Sequence, residues 1–365
     1  TLSARAAGGR GAPGDPMYRR RPARIGFPRM RAVPALLVVA LLAALVAAGA
    51  AAAQPTPAEV RLAETYAPVM RLSEPPRACE ESSPYQPTDV DAAILGNDEV
   101  ALRGPWDRTN IVAIGPTGER IGRGLWGYHL DFPGDPLQPG CSYEEWELRL
   151  REKAGPTAYA RVVTEAAYPG RLALQYWFFY VFNDWNNTHE GDWEMIQLNF
   201  DAATPEEALA AGPVEAGYSQ HSSAERAAWG GEKLELVDGT HPVVYPSAGS
   251  GANFFQPELH LMRSELEGVG CDNTTGPHQT VRPRVRTVPT DRDAYLRLYP
   301  WLGYEGRWGE RQVAFFNGPT GPNDKTQWTE PFTWAETRWR DASFAVPAGG
   351  ALGTQATDIF CGAIE

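Results

Sequence analysis

One continuous stretch, residues 176–200, limits the fold of this chain more than any other part of the sequence. It reads YWFFYVFNDWNNTHEGDWEMIQLNF, with an apolar, aromatic-rich arm on either side of a polar turn. Each arm has the length and the composition of a buried β-strand. The sequence therefore predicts two neighbouring strands of a sheet, joined by a turn that carries charged residues.

Five groups able to bind a proton or a cation lie within this turn and its flanks: Asp184, His189, Glu190, Asp192 and Glu194. Such groups are costly to bury unless they are paired or bound to a metal. Alternate residues of a strand share a face, so Asp192 and Glu194 point one way and Trp193 points the other. With Asp184 ending the first arm and His189 on the turn, three carboxylates and one imidazole converge at the rim of the sheet. The alternative is an ordinary hairpin whose acids face water and whose histidine bonds to backbone.

A cation held at this rim would meet mostly oxygen ligands and a single nitrogen. This mixture suits Ca²⁺, Mg²⁺ or Mn²⁺ better than Zn²⁺, although one His with carboxylates is also a known zinc set. Four ligands from one hairpin leave coordination positions open to water or to a substrate oxygen. The predicted cofactor is therefore a divalent cation, and the candidate ligands are Asp184, His189, Asp192 and Glu194.

The pattern His-x-x-Asp-Trp-Glu, which ends at Glu194, resembles the core of the necrosis- and ethylene-inducing peptide-like cytolysins, which carry Gly-His-Arg-His-Asp-Trp-Glu. It is still more similar to the vacuolar protein sorting-associated family sixty-two, which carries His-x-Gly-Asp-Trp-Glu. Carried over position by position, the cytolysin resemblance implies that the cation is held by Asp184, His189, Asp192 and Glu194. Gly191 stands where the cytolysins have their second histidine.

Further short motifs extend the resemblance to the vacuolar sorting family over about residues 62 to 334. A Ser-x-His follows the predicted metal-binding strand, as in both families, which makes His221 a candidate ligand-binding residue. Trp185 is the second candidate, because aromatic faces pack well on sugars. The vacuolar sorting family has a histidine where this chain has Gly251.

The resemblance implies an exported protein that engages a glycan or a membrane lipid headgroup through its bound ion, as the cytolysins engage a sphingolipid headgroup. Two alternatives use the same site. A metal-dependent hydrolase would draw on Glu190 as general base and on His221 as acid or further ligand. A purely structural ion would only pin the two strands together. No G-x-S-x-G elbow and no H-E-x-x-H motif occurs in the sequence, which removes two common hydrolase routes.

The composition favours many short strands over a helical bundle, because 37 glycines and 32 prolines make up close to a fifth of the 365 residues. The predicted fold is mostly β, a β-sandwich with short peripheral helices and long irregular loops, and the cytolysin resemblance implies the same fold. The sequence predicts short helices at about residues 57–66 and 291–302. Capping signals predict two more, with Ser142 and Glu145 opening residues 142–153 and Thr204 opening residues 205–211. Residues 256–290 have the character of a surface insertion.

The first 53 residues are predicted to lie outside the folded domain. Residues 1–29 indicate an unstructured or mis-annotated N-terminal extension, and residues 30–53 have the anatomy of a secretory signal peptide. An uncleaved membrane anchor is the alternative, because the apolar run approaches the roughly 20 residues that span a bilayer. Either way, the predicted single domain, residues 54–365, is secreted or otherwise extracytoplasmic.

The charge of the exported part excludes one class of partner. Without the eight Arg and one Asp of residues 1–53, the chain carries 25 basic and 44 acidic residues, a formal charge of −19. Nucleic acid is therefore not an expected partner, because phosphate binding needs Lys and Arg.

The four cysteines suggest two disulfides in an oxidising compartment, with three pairings left open among Cys79, Cys141, Cys271 and Cys361. The oligomeric state is left open by the sequence.

Overall fold

Two twelve-residue strands, Leu172–Asn183 and His189–Phe200, form the centre of the structure. A computed structural model describes residues 54–74, 79, 84–264, 268–313 and 316–342 of the chain. Every residue of both strands is buried, and the strands pair antiparallel from Leu172 opposite Phe200 to Asn183 opposite His189. Strands covered on both faces read as continuous apolar runs. The predicted pair of buried strands is thereby confirmed.

The described strands, labelled in chain order, form four sheets. They are β1 Val69–Ser73, β2 Ala101–Arg103, β3 Ile111–Ile114, β4 His129–Asp131, β5 Thr157–Val163, β6 Leu172–Asn183, β7 His189–Phe200, β8 Glu215–Gln220, β9 Ser223–Ala228, β10 Leu236–Val237, β11 His241–Pro246, β12 Asn253–Phe254, β13 Leu259–Ser264, β14 Gly268–Asn273, β15 His278–Val281, β16 Arg284–Val288 and β17 Trp339–Arg340. The largest sheet has the order β16-β5-β6-β7-β8-β9-β17, with its two outer pairs parallel and the others antiparallel. A second sheet has the order β10-β11-β1-β15, with β12 also paired to β11. The other two sheets are the two-stranded β13-β14 and the three-stranded β3-β2-β4.

The second sheet packs on one face of the large sheet, and helices and loops cover the other face. On the first side, the Tyr218 hydroxyl donates to the carbonyl of Val243 at 2.9 Å. On the opposite side, Trp193 stacks on Trp301 with ring centroids 5.5 Å apart. One hydrophobic cluster includes residues of both sheets and of the covering helices. The prediction of a mostly β, sandwich-like fold with short peripheral helices is confirmed.

The helices are short and lie between strands. They are α1 Pro57–Thr65, α2 Gly118–Ile121, α3 Ser142–Lys153, α4 Pro205–Ala211, α5 Arg292–Leu298, α6 Thr326–Thr329 and α7 Pro331–Arg338, with a π-helical turn at Val90–Ile94 and 3₁₀ turns at Pro300–Gly303 and Pro322–Asp324. Three predicted helices are confirmed by α1, α3 and α4. The predicted capping role of Ser142 is wrong, because Cys141 is the N-cap and the Ser142 hydroxyl donates to Pro139. The last predicted helix is shorter than expected because Pro300 interrupts it.

Residues 256–290 are not a surface insertion, so that prediction is wrong. They contain the pair β13-β14 together with β15, which pairs with β1, and β16, which pairs with β5. Asp272 within this segment is completely buried. The segment therefore belongs to the body of the fold.

A disulfide bond links distant parts of the described chain. Cys79 and Cys141 form a disulfide across 62 residues of chain, and Cys271 is disulfide-bonded as well. Cys361, the predicted N-terminal extension and the predicted signal peptide lie outside the described residues. None of the described helices is long and apolar enough to cross a bilayer.

Candidate functional site

The turn between β6 and β7 is held by backbone and amide hydrogen bonds. Asn183 pairs with His189 across the two strands, and its side-chain oxygen accepts from the backbone N–H of Trp185 at 2.9 Å. The backbone N–H of Asp184 donates to Gly249 at 2.9 Å. Nδ1 of His189 lies 2.8 Å from the carbonyl of Gly191. A carbonyl only accepts, so Nδ1 carries a proton, and in the neutral ring Nε2 is the nitrogen that can bind a metal.

Asp192 and Glu194 form a buried pair of carboxylates on one face of β7. Each is only 8 % exposed. Asp192 accepts from the Asn183 amide at 2.7 Å, and Glu194 accepts from the Ser219 hydroxyl. Burial first, and then the negative charge of Asp192, raise the pKa of Glu194 to about 8. Trp193, between them, turns to the opposite face and stacks on Trp301, as the strand alternation predicts.

Oxygen atoms without hydrogen-bond partners lie close to this carboxylate pair. The Tyr180 hydroxyl is buried and unpartnered within the described structure, and Tyr180 is the cross-strand neighbour of Asp192. Burial, followed by the charges of Glu194 and Asp192, holds the pKa of Tyr180 well above its usual range. Asn253, on β12 beside β7, likewise has a buried side-chain oxygen with no partner there. Gly251 permits this packing, because a Cβ at that position would meet the Tyr180 ring at 2.9 Å.

The two predicted ligand-binding residues, Trp185 and His221, lie in contact. Their ring centroids are 4.1 Å apart. Nε2 of His221 lies 2.7 Å from a carboxylate oxygen of Asp272, and the hydroxyl of Ser250 donates to the other oxygen at 2.5 Å. Although burial raises the pKa of Asp272, the neighbouring His221 and Ser250 lower it overall. His221 also lowers the pKa of Glu194, which links this pair to the carboxylates of β7.

Glu190 belongs to a different set of side chains from Asp192 and Glu194. It accepts hydrogen bonds from the Tyr143 hydroxyl at 2.8 Å, from the backbone of Phe132 at 3.0 Å and from the backbone of Glu310 at 2.8 Å. The reason is Gly191, whose φ of +65° interrupts the strand alternation. The general-base candidate therefore does not lie beside the predicted metal ligands.

The carboxylates of Asp131, Glu190 and Glu310 form a second acidic cluster, with oxygen atoms within 4.8 Å of one another. Burial, together with the charge of Asp131, raises the pKa of Glu190 well above its ordinary value. Two of the three carboxylates have basic partners: Arg103 contacts Asp131 at 2.7 Å, and Arg108 contacts Glu310 at 3.2 Å. Much of the negative charge of this cluster is therefore compensated by the protein itself.

The structure brings together some of the predicted ligands and not others. Asp192 and Glu194 are neighbours, and His189 has the tautomer of a metal ligand. Among the described residues, however, no three of the four predicted ligands have donor atoms within 4.8 Å of one another. The negative charge of Asp184 acts on Tyr85. Burial, then the charge of Glu144 and then that of Asp184 raise the pKa of Tyr85.

Sequence reasoning missed several residues that surround the β7 carboxylates: Tyr180, Asn183, Asp272 and Asn253. Tyr180 and Asn183 lie in the first arm of the predicted strand pair, and their cross-strand positions beside Asp192 and His189 follow only once the register is known. Asp272 and Asn253 come from distant segments, and no local pattern in the sequence marks them.

No protein-family model matches this chain, and no curated protein matches it significantly. Solved structures do match. One, described as NLPPya in complex with glucosamine, has 17% identity and a TM-score of 0.33 over 67% of this chain and 80% of that chain. A second, described as a toxin fold for microbial attack and plant defense, has 18% identity and a TM-score of 0.34 over the same shares. Necrosis and Ethylene inducing Protein 2 from the causal agent of cocoa's Witches Broom disease has 14% identity and a TM-score of 0.30, over 64% and 74%.

The structural neighbours of this chain are thus necrosis- and ethylene-inducing proteins at low identity.

Proposed function

We propose that this chain is an exported protein that binds a divalent cation at Asp192 and Glu194 and engages a glycan or lipid headgroup through that ion. His189 and Asp184 are the further proposed ligands. Trp185 and His221 are proposed to contact the bound headgroup. When bound, the cation would supply a Lewis-acidic position for hydroxyl or phosphate oxygens.

The observation that carries the proposal is that both β7 carboxyl groups are buried without a basic partner among the described residues. Within the described structure, neither Asp192 nor Glu194 forms an ion pair with Lys or Arg, whereas Asp131 and Glu310 both do. Lys325 lowers the pKa of Glu194 in part, but its ammonium group donates to the carbonyl of Trp193 at 2.8 Å. A buried, unpaired carboxylate costs several kcal/mol, which a bound cation offsets.

The donor set around the pair also fits a hard cation. The unpartnered oxygen atoms of Tyr180, opposite Asp192, and of Asn253, on β12 beside β7, would be further neutral oxygen donors. The Nδ1–H of His189 donates to a backbone carbonyl, which is the second contact that metal-ligating histidines usually make. Oxygen-rich sites of this kind favour Ca²⁺, Mg²⁺ or Mn²⁺.

The cation assignment predicts that the conservative variants Asp192→Asn and Glu194→Gln lose cation binding. Calorimetric titration of the chelator-treated protein with Mg²⁺, Ca²⁺ and Mn²⁺ should show one site, with affinity at least about tenfold weaker in either variant. Glu310→Gln is the matched control, because it neutralises one carboxylate of the other acidic cluster. Unchanged affinity in both β7 variants, or loss of binding in Glu310→Gln alone, would refute the assignment.

The role of the ion is tested separately with an array of glycans and lipid vesicles, with and without chelator. Binding that disappears with chelator and returns with the cation supports engagement through the ion. If ligands bind equally well after removal of the cation from a folded protein, the ion is structural. Product formation from a bound ligand would instead identify a hydrolase.

A further inference from the structure

Two tryptophans are exposed at one corner of the molecule, although most tryptophans of this chain are buried. Trp106 is 50% exposed and Trp126 is 68% exposed, and they are the only exposed aromatic residues in the described ranges. Their ring centroids are 4.3 Å apart with an angle of 75° between the planes. The two indoles therefore form a right-angled corner that is open to solvent.

The backbone holds Trp106 in this position at a conformational cost. Its φ is +57°, in the left-handed region that bulky L-residues avoid, at a cost of roughly 1–2 kcal/mol. Its N–H donates to the carbonyl of Gly127 at 2.9 Å. A Cβ on Gly127 would meet the indole of Trp106 at 2.6 Å, so only glycine allows this approach. Strained residues that persist in this way are concentrated at functional sites.

One arginine packs against the tryptophan corner. The guanidinium of Arg311 lies 4.4 Å from the Trp106 ring and has no ion pair with any described residue. His129 is buried nearby, with no hydrogen-bond partner for either ring nitrogen in the part of the chain described. Burial lowers the pKa of this histidine to about 4, and further contributions come from Arg103, Arg311, Arg108 and Arg307.

The chemistry of this corner selects an anionic ligand with an apolar face. Indole faces pack on the C–H face of a pyranose ring, and a guanidinium binds a carboxylate through two parallel hydrogen bonds. Arg311 disfavours a cationic ligand such as a quaternary ammonium group. Nucleic acid would need several Lys and Arg for its phosphates, whereas Arg103 and Arg108 are already paired with Asp131 and Glu310.

We infer that Trp106, Trp126 and Arg311 form a second binding site, for an acidic saccharide whose ring carries a carboxylate. Trp126 offers the more open face for the sugar ring, and Arg311 binds the carboxylate. This site needs no divalent cation, because its charge comes from the protein. It therefore does not depend on the ion site proposed at Asp192 and Glu194.

The test compares a tetragalacturonate with its fully methyl-esterified form, which keeps the rings and removes the charge. Calorimetric titrations in chelator should show tighter binding of the acid. Arg311→Gln is expected to weaken binding of the acid about tenfold and to leave the ester unchanged. Trp126→Ala should weaken binding of both sugars by about tenfold. Both side chains are at least partly exposed, so neither variant is expected to impair folding.

Arg282→Gln, at an exposed arginine elsewhere, is the matched control and should bind both sugars as the unmodified protein does. Asp192→Asn should also leave this binding intact, which separates the two sites. Equal affinity for acid and ester, equal weakening of both by Arg311→Gln, loss of binding in chelator, or no binding of either sugar would overturn the inference.

Discussion

Buried and half-buried ionisable side chains in this protein are compensated to very different degrees. Asp131 and Glu310 have arginine partners, whereas Asp192 and Glu194 have none among the described residues. His129 is an extreme case, since it is completely buried without a hydrogen bond to any described group. Groups of this kind make stability depend on pH or on ligands, because only one protonation or binding state suits the interior.

His129 should destabilise the protein as the pH falls. Its pKa is lowered from 6.5 to about 4 on folding, first by burial and then by nearby arginines. The unfolded state binds a proton first, so the stability linked to this residue is present above about pH 6.5 and is lost as the pH falls towards 4. Between pH 7.5 and pH 5 the loss amounts to about 2 kcal/mol. Urea denaturation at both pH values measures it.

The variant His129→Leu should remove this part of the pH dependence, because leucine does not titrate. His278→Leu, which alters a partly buried histidine elsewhere, should retain it. If His129→Leu lost as much stability between the two pH values as the unmodified protein, the assignment of this pH dependence to His129 would be wrong.

At the scale of the element, strand β7 is interrupted by one residue that divides its acidic side chains between two clusters. Gly191 separates Glu190, which joins Asp131 and Glu310, from the carboxylates that follow it. A Cβ at Gly191 would lie 1.7 Å from the carbonyl oxygen of Trp308. The second histidine of the cytolysin motif therefore has no room at this position.

Gly191→Ala is expected to destabilise the protein by more than about 3 kcal/mol, because it combines a left-handed backbone with a backbone clash. Gly170→Ala is the control, with a φ of +79° but no atom within 4 Å of its Cβ, and should cost only about 1 kcal/mol. Denaturation in urea gives both free energies of unfolding. Similar costs for the two variants would show that the contact with Trp308 has no energetic weight.

At the scale of the whole molecule, the layers are tied together by distant contacts. The Cys79–Cys141 disulfide closes 62 residues of chain between β1 and α3. Eight of the 12 tryptophans are buried, and several of them pack between the large sheet and the covering loops. The disulfide and these tryptophan contacts hold the covering loops against the large sheet.

The double variant Cys79→Ser/Cys141→Ser should lower the free energy of unfolding by about 3 kcal/mol, because it frees a long loop in the unfolded state. The measurement is urea denaturation without reductant, so that the disulfide of Cys271 stays formed. A single Cys79→Ser variant blocked with a thiol reagent should lose a similar amount. No change in stability in the double variant would contradict a stabilising role for this disulfide.

The sequence alone determined the features that depend on neighbouring residues. The aromatic arms predicted β6 and β7, strand alternation predicted that Asp192 and Glu194 face away from Trp193, and capping signals predicted α4. These properties are local, so composition and spacing encode them.

Only the tertiary structure decided how these local pieces combine. It separated Glu190 from Asp192 through the approach of the Trp308 backbone to Gly191, and it brought Asp272 from a supposed insertion to His221. It also joined Trp106, Trp126 and Arg311, which are up to 205 positions apart in the sequence, into one exposed corner. Contacts between distant segments depend on how whole layers pack, and no local pattern of residues specifies them.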